Sequence, residues 1–378
     1  MKLSHIIAAT LVASTTVAPA MAGGINLGTE TVTVTPYAQI NRAAQYADNG
    51  EKSSVIHVDN KMSGTRGGFK VKAKVDDNFS VGGNWEIEYL SNPSSKVDID
   101  GAEIKNEFSE RKLEIWAKYN GWKISAGQGE FASDGTGEKQ FKDGLNTAMH
   151  PKVQDGTGDY TTRINTMGVY SVGGKVDSFV ANVDGIGRGD RIRIDTPVFN
   201  GFSLSAATGQ PDKTGNLTDT QAWDVALRYA GEFGAIRVAA AASYADMDSA
   251  SEESRHGGSI FLGHESGFGI GGVYEGIDFT AAGRDDHSYM YVRGSYVADD
   301  LCKYGKTSFG VEYGKAENVK SNDQEGNFWG VGAVQKLKAV STELYVSYRA
   351  FDFDDSSLLA SESIEDFTTG MAGARIKF

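Results

Sequence analysis

One cysteine, Cys302, in 378 residues leaves no internal disulfide to staple the chain. Proline is scarce at 6 residues, so little interrupts extended backbone. Beyond the first 22 residues there is no uninterrupted apolar run near the roughly 20 residues that a membrane-spanning helix needs. A chain of this kind enters a membrane only as strands. Basic residues are never densely clustered, and the formal charge of −13 argues against nucleic-acid binding. His5, His57, His150, His256, His264 and His287 have no HExxH spacing, and neither GxSxG nor a Ser-His-Asp set is present. The expectation is therefore a protein without catalytic residues, metal ligands or cofactor.

What is abundant points the same way. There are 47 Gly, 16 Tyr and 18 Phe, with a mean hydropathy of −0.35, as expected where half the strand positions face water and turns are frequent. The chain ends in GMAGARIKF: Gly370, Ala372, Ala374, Ile376 and Phe378 share one face, and Met371, Gly373, Arg375 and Lys377 the other. A strand that is apolar outward, basic inward and closed by an aromatic suits the periplasmic rim of a transmembrane barrel. At the other end, Lys2, the apolar stretch from Ile6 through Val17 and Ala20-Met21-Ala22 have the form of a secretory signal peptide over residues 1–22.

Period-two segments recur along residues 23–378, joined alternately by short and long connections. Val32 to Tyr46 alternates cleanly, and after a polar loop Arg66 to Val75 sets Phe69, Val71 and Ala73 against Lys70, Lys72 and Lys74. Phe79 to Tyr89 follows a short turn, and Arg111 to Tyr119 is joined to Trp122 to Gln128 by Asn120-Gly121, the strongest short hairpin signal. After a long insertion come Gly189 to Pro197, Phe202 to Thr208, Ala222 to Ala230, Ala235 to Tyr244, Ser259 to Glu265 and Phe268 to Glu275. Ser288 to Val297, Lys306 to Lys315, Asn327 to Leu337, Thr342 to Phe351 and the terminal strand complete the set. The predicted fold is all-β, a transmembrane antiparallel barrel of about sixteen strands with short periplasmic turns and long external loops. Thr161 to Tyr170, paired into the wall with Lys175 to Val183, would make eighteen.

Four stretches resemble the general diffusion porins of Gram-negative bacteria: SGTRGGFKVKAKVDDNFSVGGNWEIEY, GWKISAGQGEF, RGDRIRIDTPVFNGFSLSAATG and GVGAVQKLKAVSTELYVSYRAF. The resemblance covers nearly all of residues 23–378. It implies a homotrimeric channel in the Gram-negative outer membrane whose third loop, about residues 129–187, folds inward and narrows the pore. It also makes the terminal Phe378 the assembly signal read by the barrel-assembly machinery, and implies lipid and lipopolysaccharide as surroundings. Gln128 stands where the family usually has Arg, and the loop-tip Pro-Glu-Phe-Gly is missing.

On this reading Glu130, Asp134, Glu138, Asp143, Asp155 and Asp159 form an acidic loop. It faces a basic wall of Arg66, Lys70, Lys72, Lys112, Arg191 and Arg193, with a transverse field between them that sorts ions. The expected function is passive diffusion of ions and small hydrophilic solutes. A substrate-selective, for example anion-selective, porin and a non-conducting adhesin or structural barrel are the alternatives. Asp352, Asp354 and Asp355 suit a divalent cation or, more simply, a solvated loop.

Overall fold

The computed structural model describes residues 31–101, 106–211, 221–248 and 253–378. The signal-peptide segment, residues 1–22, lies outside the described residues.

In chain order the strands are β1 (Val32–Asp48), β2 (Ser53–Asp59), β3 (Arg66–Lys74), β4 (Phe79–Leu90), β5 (Glu107–Tyr119), β6 (Trp122–Glu130), β7 (Thr161–Thr166), β8 (Val169–Lys175), β9 (Arg188–Asp195) and β10 (Phe202–Pro211). They continue as β11 (Ala222–Phe233), β12 (Ile236–Met247), β13 (Glu253–His264), β14 (Phe268–Phe279), β15 (His287–Ala298), β16 (Thr307–Glu317), β17 (Gln324–Leu337), β18 (Thr342–Asp355), β19 (Glu362–Ile364) and β20 (Phe367–Lys377). Sixteen of them, all but β2, β7, β8 and β19, pair antiparallel with their neighbours around a closed ring. The ring shuts where β20 meets β1, from Gln39↔Lys377 to Asp48↔Thr368. Phe378 finishes the seam, its N–H donating to Ala38 O at 2.9 Å. Among the described residues no helix is long and apolar enough to cross a membrane.

Alternation assigns the two faces of the wall. Leu113 and Ile115 on β5, Ile192 and Ile194 on β9, and Leu344 and Val346 on β18 are exposed on the outside, where the solvent is lipid. The residues between them face the lumen. Asn120 (φ 48°) and Gly121 (φ 87°) are both left-handed, the backbone that a two-residue hairpin matched to strand twist requires.

The structure departs from the sequence expectation in three places. The polar loop after β1 contains a strand: β2 pairs with the outer half of β1 (Arg42↔Asp59 to Asp48↔Ser53), while β3 takes the inner half. Together β2 and β3 make one wall strand interrupted at residues 60–65. Second, β7 and β8 form a hairpin turning at Met167 and Gly168, and its other partner is β19, not the wall. The barrel therefore has sixteen strands, and the eighteen-strand alternative falls. Third, Asp352 and Asp354 face outward because Phe351 and Phe353 face inward, where Phe353 packs on Phe179 with ring centroids 5.1 Å apart. Packing accounts for that alternation.

The long connection between β6 and β9 supplies a core inside the barrel. Its Phe141, Leu145, Met149, Tyr160, Val176 and Phe179 are buried against inward aromatics of β13, β15, β17, β18 and β20. Phe141 lies 5.7 Å from Tyr291 and Tyr160 lies 5.2 Å from Phe367, centroid to centroid. One arc of the lumen is thus a packed apolar interior, and the opposite arc stays open.

Candidate functional site: the lumen

The open arc belongs to β1, β3, β4, β5, β6 and β9, which enclose a cavity of about 730 Å³. All six predicted wall cations line it, and each is held by its neighbours differently. Arg66 Nε lies 3.5 Å from Glu86 Oε2. Lys112 Nζ lies 3.1 Å from Glu130 Oε1. Arg191 binds Glu114 and donates to Gly127 O (3.1 Å) and Glu130 O (3.0 Å). Arg193 spans Asp195 Oδ1 (2.7 Å) and Phe131 O (2.8 Å), which ties the root of the loop to the wall. Lys70 sits over the Tyr37 ring at 5.0 Å, and neither Lys70 nor Lys72 forms an ion pair among the described residues.

Strict alternation misses Arg111. A bulge opposite Glu86 and Ile87 makes Arg111 the extra residue, so that Lys112 pairs with Glu86 and Glu110 with Ile87. Arg111 and Lys112 consequently both reach the lumen side. Arg111 binds Glu86 (2.7 Å) and Glu88 (3.0 Å), and Lys61 binds Glu88 (2.7 Å) and Glu107 (2.9 Å), giving an alternating ladder of charge above the cavity. Lys118, Lys123 and Lys377 also line the cavity. Simple alternation away from Asn120-Gly121 finds the first two, which pair across the hairpin.

Of the six loop carboxylates, Glu130 alone lines this cavity. Asp134 is buried against Lys139. Asp143 is wholly buried with Arg293, whose Nε and Nη2 each lie 2.9 Å from its oxygens. Asp155 is held up to about 6 by burial, against the pull of Lys152. Asp159 pairs with Lys175 at 2.8 Å. Between residues 131 and 150 the exposed side chains are Lys139 and Lys142 alone.

Glu138 belongs to a tight knot. One oxygen from each of Asp134, Glu138 and Asp184 lies within 4.8 Å of the others. Asp184 accepts from the N–H groups of Gly135 (3.0 Å) and Gly137 (3.2 Å), joining the outgoing and returning limbs of the loop. Burial, with Glu138, Asp134 and Glu275 nearby, pushes the Asp184 carboxyl well above its ordinary range.

His150 Nδ1 lies 3.4 Å from Glu138 Oε2, yet the same nitrogen accepts the Lys152 backbone N–H at 3.2 Å. An accepting Nδ1 makes the ring neutral on that side, and burial lowers His150 to about 4. The unfolded histidine takes its proton near 6.5 and the folded one only near 4, so stability present above pH 6.5 is lost as pH falls through that window. Thermal unfolding of the detergent-solubilised protein from pH 8 to pH 4 should show wild type losing ground to H150N below about 6.5. Parallel curves would mean that His150 does not titrate there.

A sixteen-stranded ring with a water-facing charged arc and a lipid-facing apolar belt is a transmembrane channel. Residues 8–356 match the Gram-negative porin family, and the chain belongs to that family. No curated protein matches it closely enough to register. Its fold is similar to that of the anion-selective porin from Comamonas acidovorans (TM-score 0.60, 14% identity, 92% of this chain and 100% of that one). It is also similar to OmpT, an outer membrane protein of Vibrio cholerae (TM-score 0.58, 15% identity, 93% and 99%), and to Salmonella typhi OmpF in complex with daunomycin (TM-score 0.57, 13% identity, 92% and 98%). The protein is thus an outer-membrane porin, a passive diffusion channel for ions and small hydrophilic solutes.

Proposed function

We propose that this porin passes small hydrophilic anions in preference to cations, with no covalent step and as one subunit of a homotrimer. The observation that carries the preference is the lining of the open cavity, with nine cationic side chains against four carboxylates. A transverse field between an acidic loop and a basic wall needs free carboxylates on the loop. Here Asp134 and Asp143 are consumed by Lys139 and Arg293, and Lys139 and Lys142 are what the outgoing limb exposes. The excess of cations lining the cavity concentrates anions and repels cations within a Debye length of about 8 Å at physiological salt. The net charge of the whole chain has the opposite sign, but charges on the distant outer loops are screened from the lumen.

The similar Comamonas acidovorans protein is described as anion-selective, and a trimer form of the Vibrio cholerae OmpT has been solved. Single insertions into a planar bilayer under a potassium chloride gradient test the reading directly. The expected reversal potential has the sign of chloride preference, with conductance closing in three equal steps. A potential of potassium sign would refute the anion preference, and closure in one step would refute the trimer.

A further inference from the structure

The chain has five tryptophans, and four of them, Trp85, Trp122, Trp223 and Trp329, are 41–51% exposed on the outer face, where lipid favours them. The fifth, Trp116, lies on the lumen side and lines the cationic cavity. The indole is half-buried there. Register across the wall places it in the row Lys72, Gly82, Trp116, Ser125, Arg193. Gly82 leaves room for the ring to lie across it: a Cβ at that position would stand 2.4 Å from Trp116 Cζ2.

The next row toward the short turns is Ser80, Lys118, Lys123 and Asp195. Lys118 and Lys123 are direct cross-strand partners, a like-charge arrangement that costs stability while nothing is bound. Neither forms an ion pair within 4 Å among the described residues, and Lys123 Nζ lies 5.9 Å from the Trp116 ring centroid. Lys72, also unpaired, stands two strands from Trp116, about 10 Å away at the usual strand spacing. Lys123 thus lies over the indole as a cation–π partner that an incoming ring would displace, and Lys72 and Lys118 stand to its sides without ion pairs.

We propose that this part of the cavity is a subsite for planar, ring-bearing polyanions. In it Trp116 stacks on the ring, and Lys72, Lys118 and Lys123 take the carboxylate or phosphate groups. The inference rests on the anion preference proposed above and names the class of anion that is retained.

Two probes of equal charge separate stacking from charge. Citrate and benzene-1,3,5-tricarboxylate each carry three carboxylates, and only the second has a ring. Each is added in turn to either side of a single wild-type channel, and the dwell time of current block is read. The expected dwell time is at least about fivefold longer for the ring compound, the scale of an aromatic contact beyond simple burial. W116L should bring the ratio close to one, and W116F, which keeps a ring, should preserve most of it. Chloride preference with equal block by both probes, or with block by neither, overturns the subsite and leaves the anion reading standing. A ratio that survives W116L overturns the role of Trp116. A wild-type channel of potassium preference removes the anion reading itself, independently of the block ratio.

Discussion

Asp143→Ala is expected to free the lumen loop from the far wall, giving a larger and noisier single-channel conductance and a lower melting temperature. Asp143 and Arg293 are both inaccessible to solvent, and the guanidinium also donates to Asn146 Oδ1 at 2.8 Å and covers the Phe141 ring at 4.3 Å. Removing the carboxylate leaves a buried cation without its counter-charge, which costs about 3–5 kcal/mol. Three other anchors of the same stretch share the site: Ser308 Oγ on Asp143 O, Thr147 Oγ1 on Glu343, and Asn60 Nδ2 on Thr147 O. Once the pair is broken, these hydrogen bonds must hold the loop against entropy. The double variant D143L/R293M should regain much of the melting temperature, since a well-packed apolar pair of similar volume removes the stranded charge. Conductance and stability of D143A equal to wild type would show that the loop is held by its aromatic core alone.

Inverting ion preference is the second large effect. Lys70, Lys72, Lys118 and Lys123 line the cavity without an ion pair among the described residues, so exchanging them breaks no bridge. The quadruple variant K70E/K72E/K118E/K123E turns nine cations against four carboxylates into five against eight. Its reversal potential under a potassium chloride gradient should change sign from chloride to potassium preference. K70E/K72E alone should come close to no preference. A quadruple variant that still prefers chloride would place the selective ring elsewhere, at Lys139 and Lys142 on the loop.

The wall was legible because its signal is local. Phe69 to Lys74 or Arg191 to Ile194 declare their two faces within a few residues, and the Asn120-Gly121 turn fixes the register of β5 on β6. The interior arc was much less so. Tyr289, Tyr291, Phe328 and Phe351 face inward, but in sequence an aromatic at a strand position looks the same whether it meets lipid or a folded loop. Charge was legible and pairing was not. Asp143 and Arg293 are 150 residues apart, and only the closed ring brings them together. Arg111 was hidden by a bulge that breaks the period, and β2 by the six-residue interruption that separates it from β3.

The loop inside the lumen also clasps the junction of the two chain ends. Its residues come from the middle of the chain, yet Gly156 O accepts from Gln45 on β1 and Tyr160 packs at a tilt on Phe367 of β20. Those two strands are neighbours only after the first and last segments have met at the seam. The part of the docking surface that lies at the seam is therefore complete only in the closed ring, where the loop bridges the first and last strands. A segment from the middle of the chain thus serves as an internal strap across the line where the cylinder closes, so the part that narrows the bore also ties its two ends together.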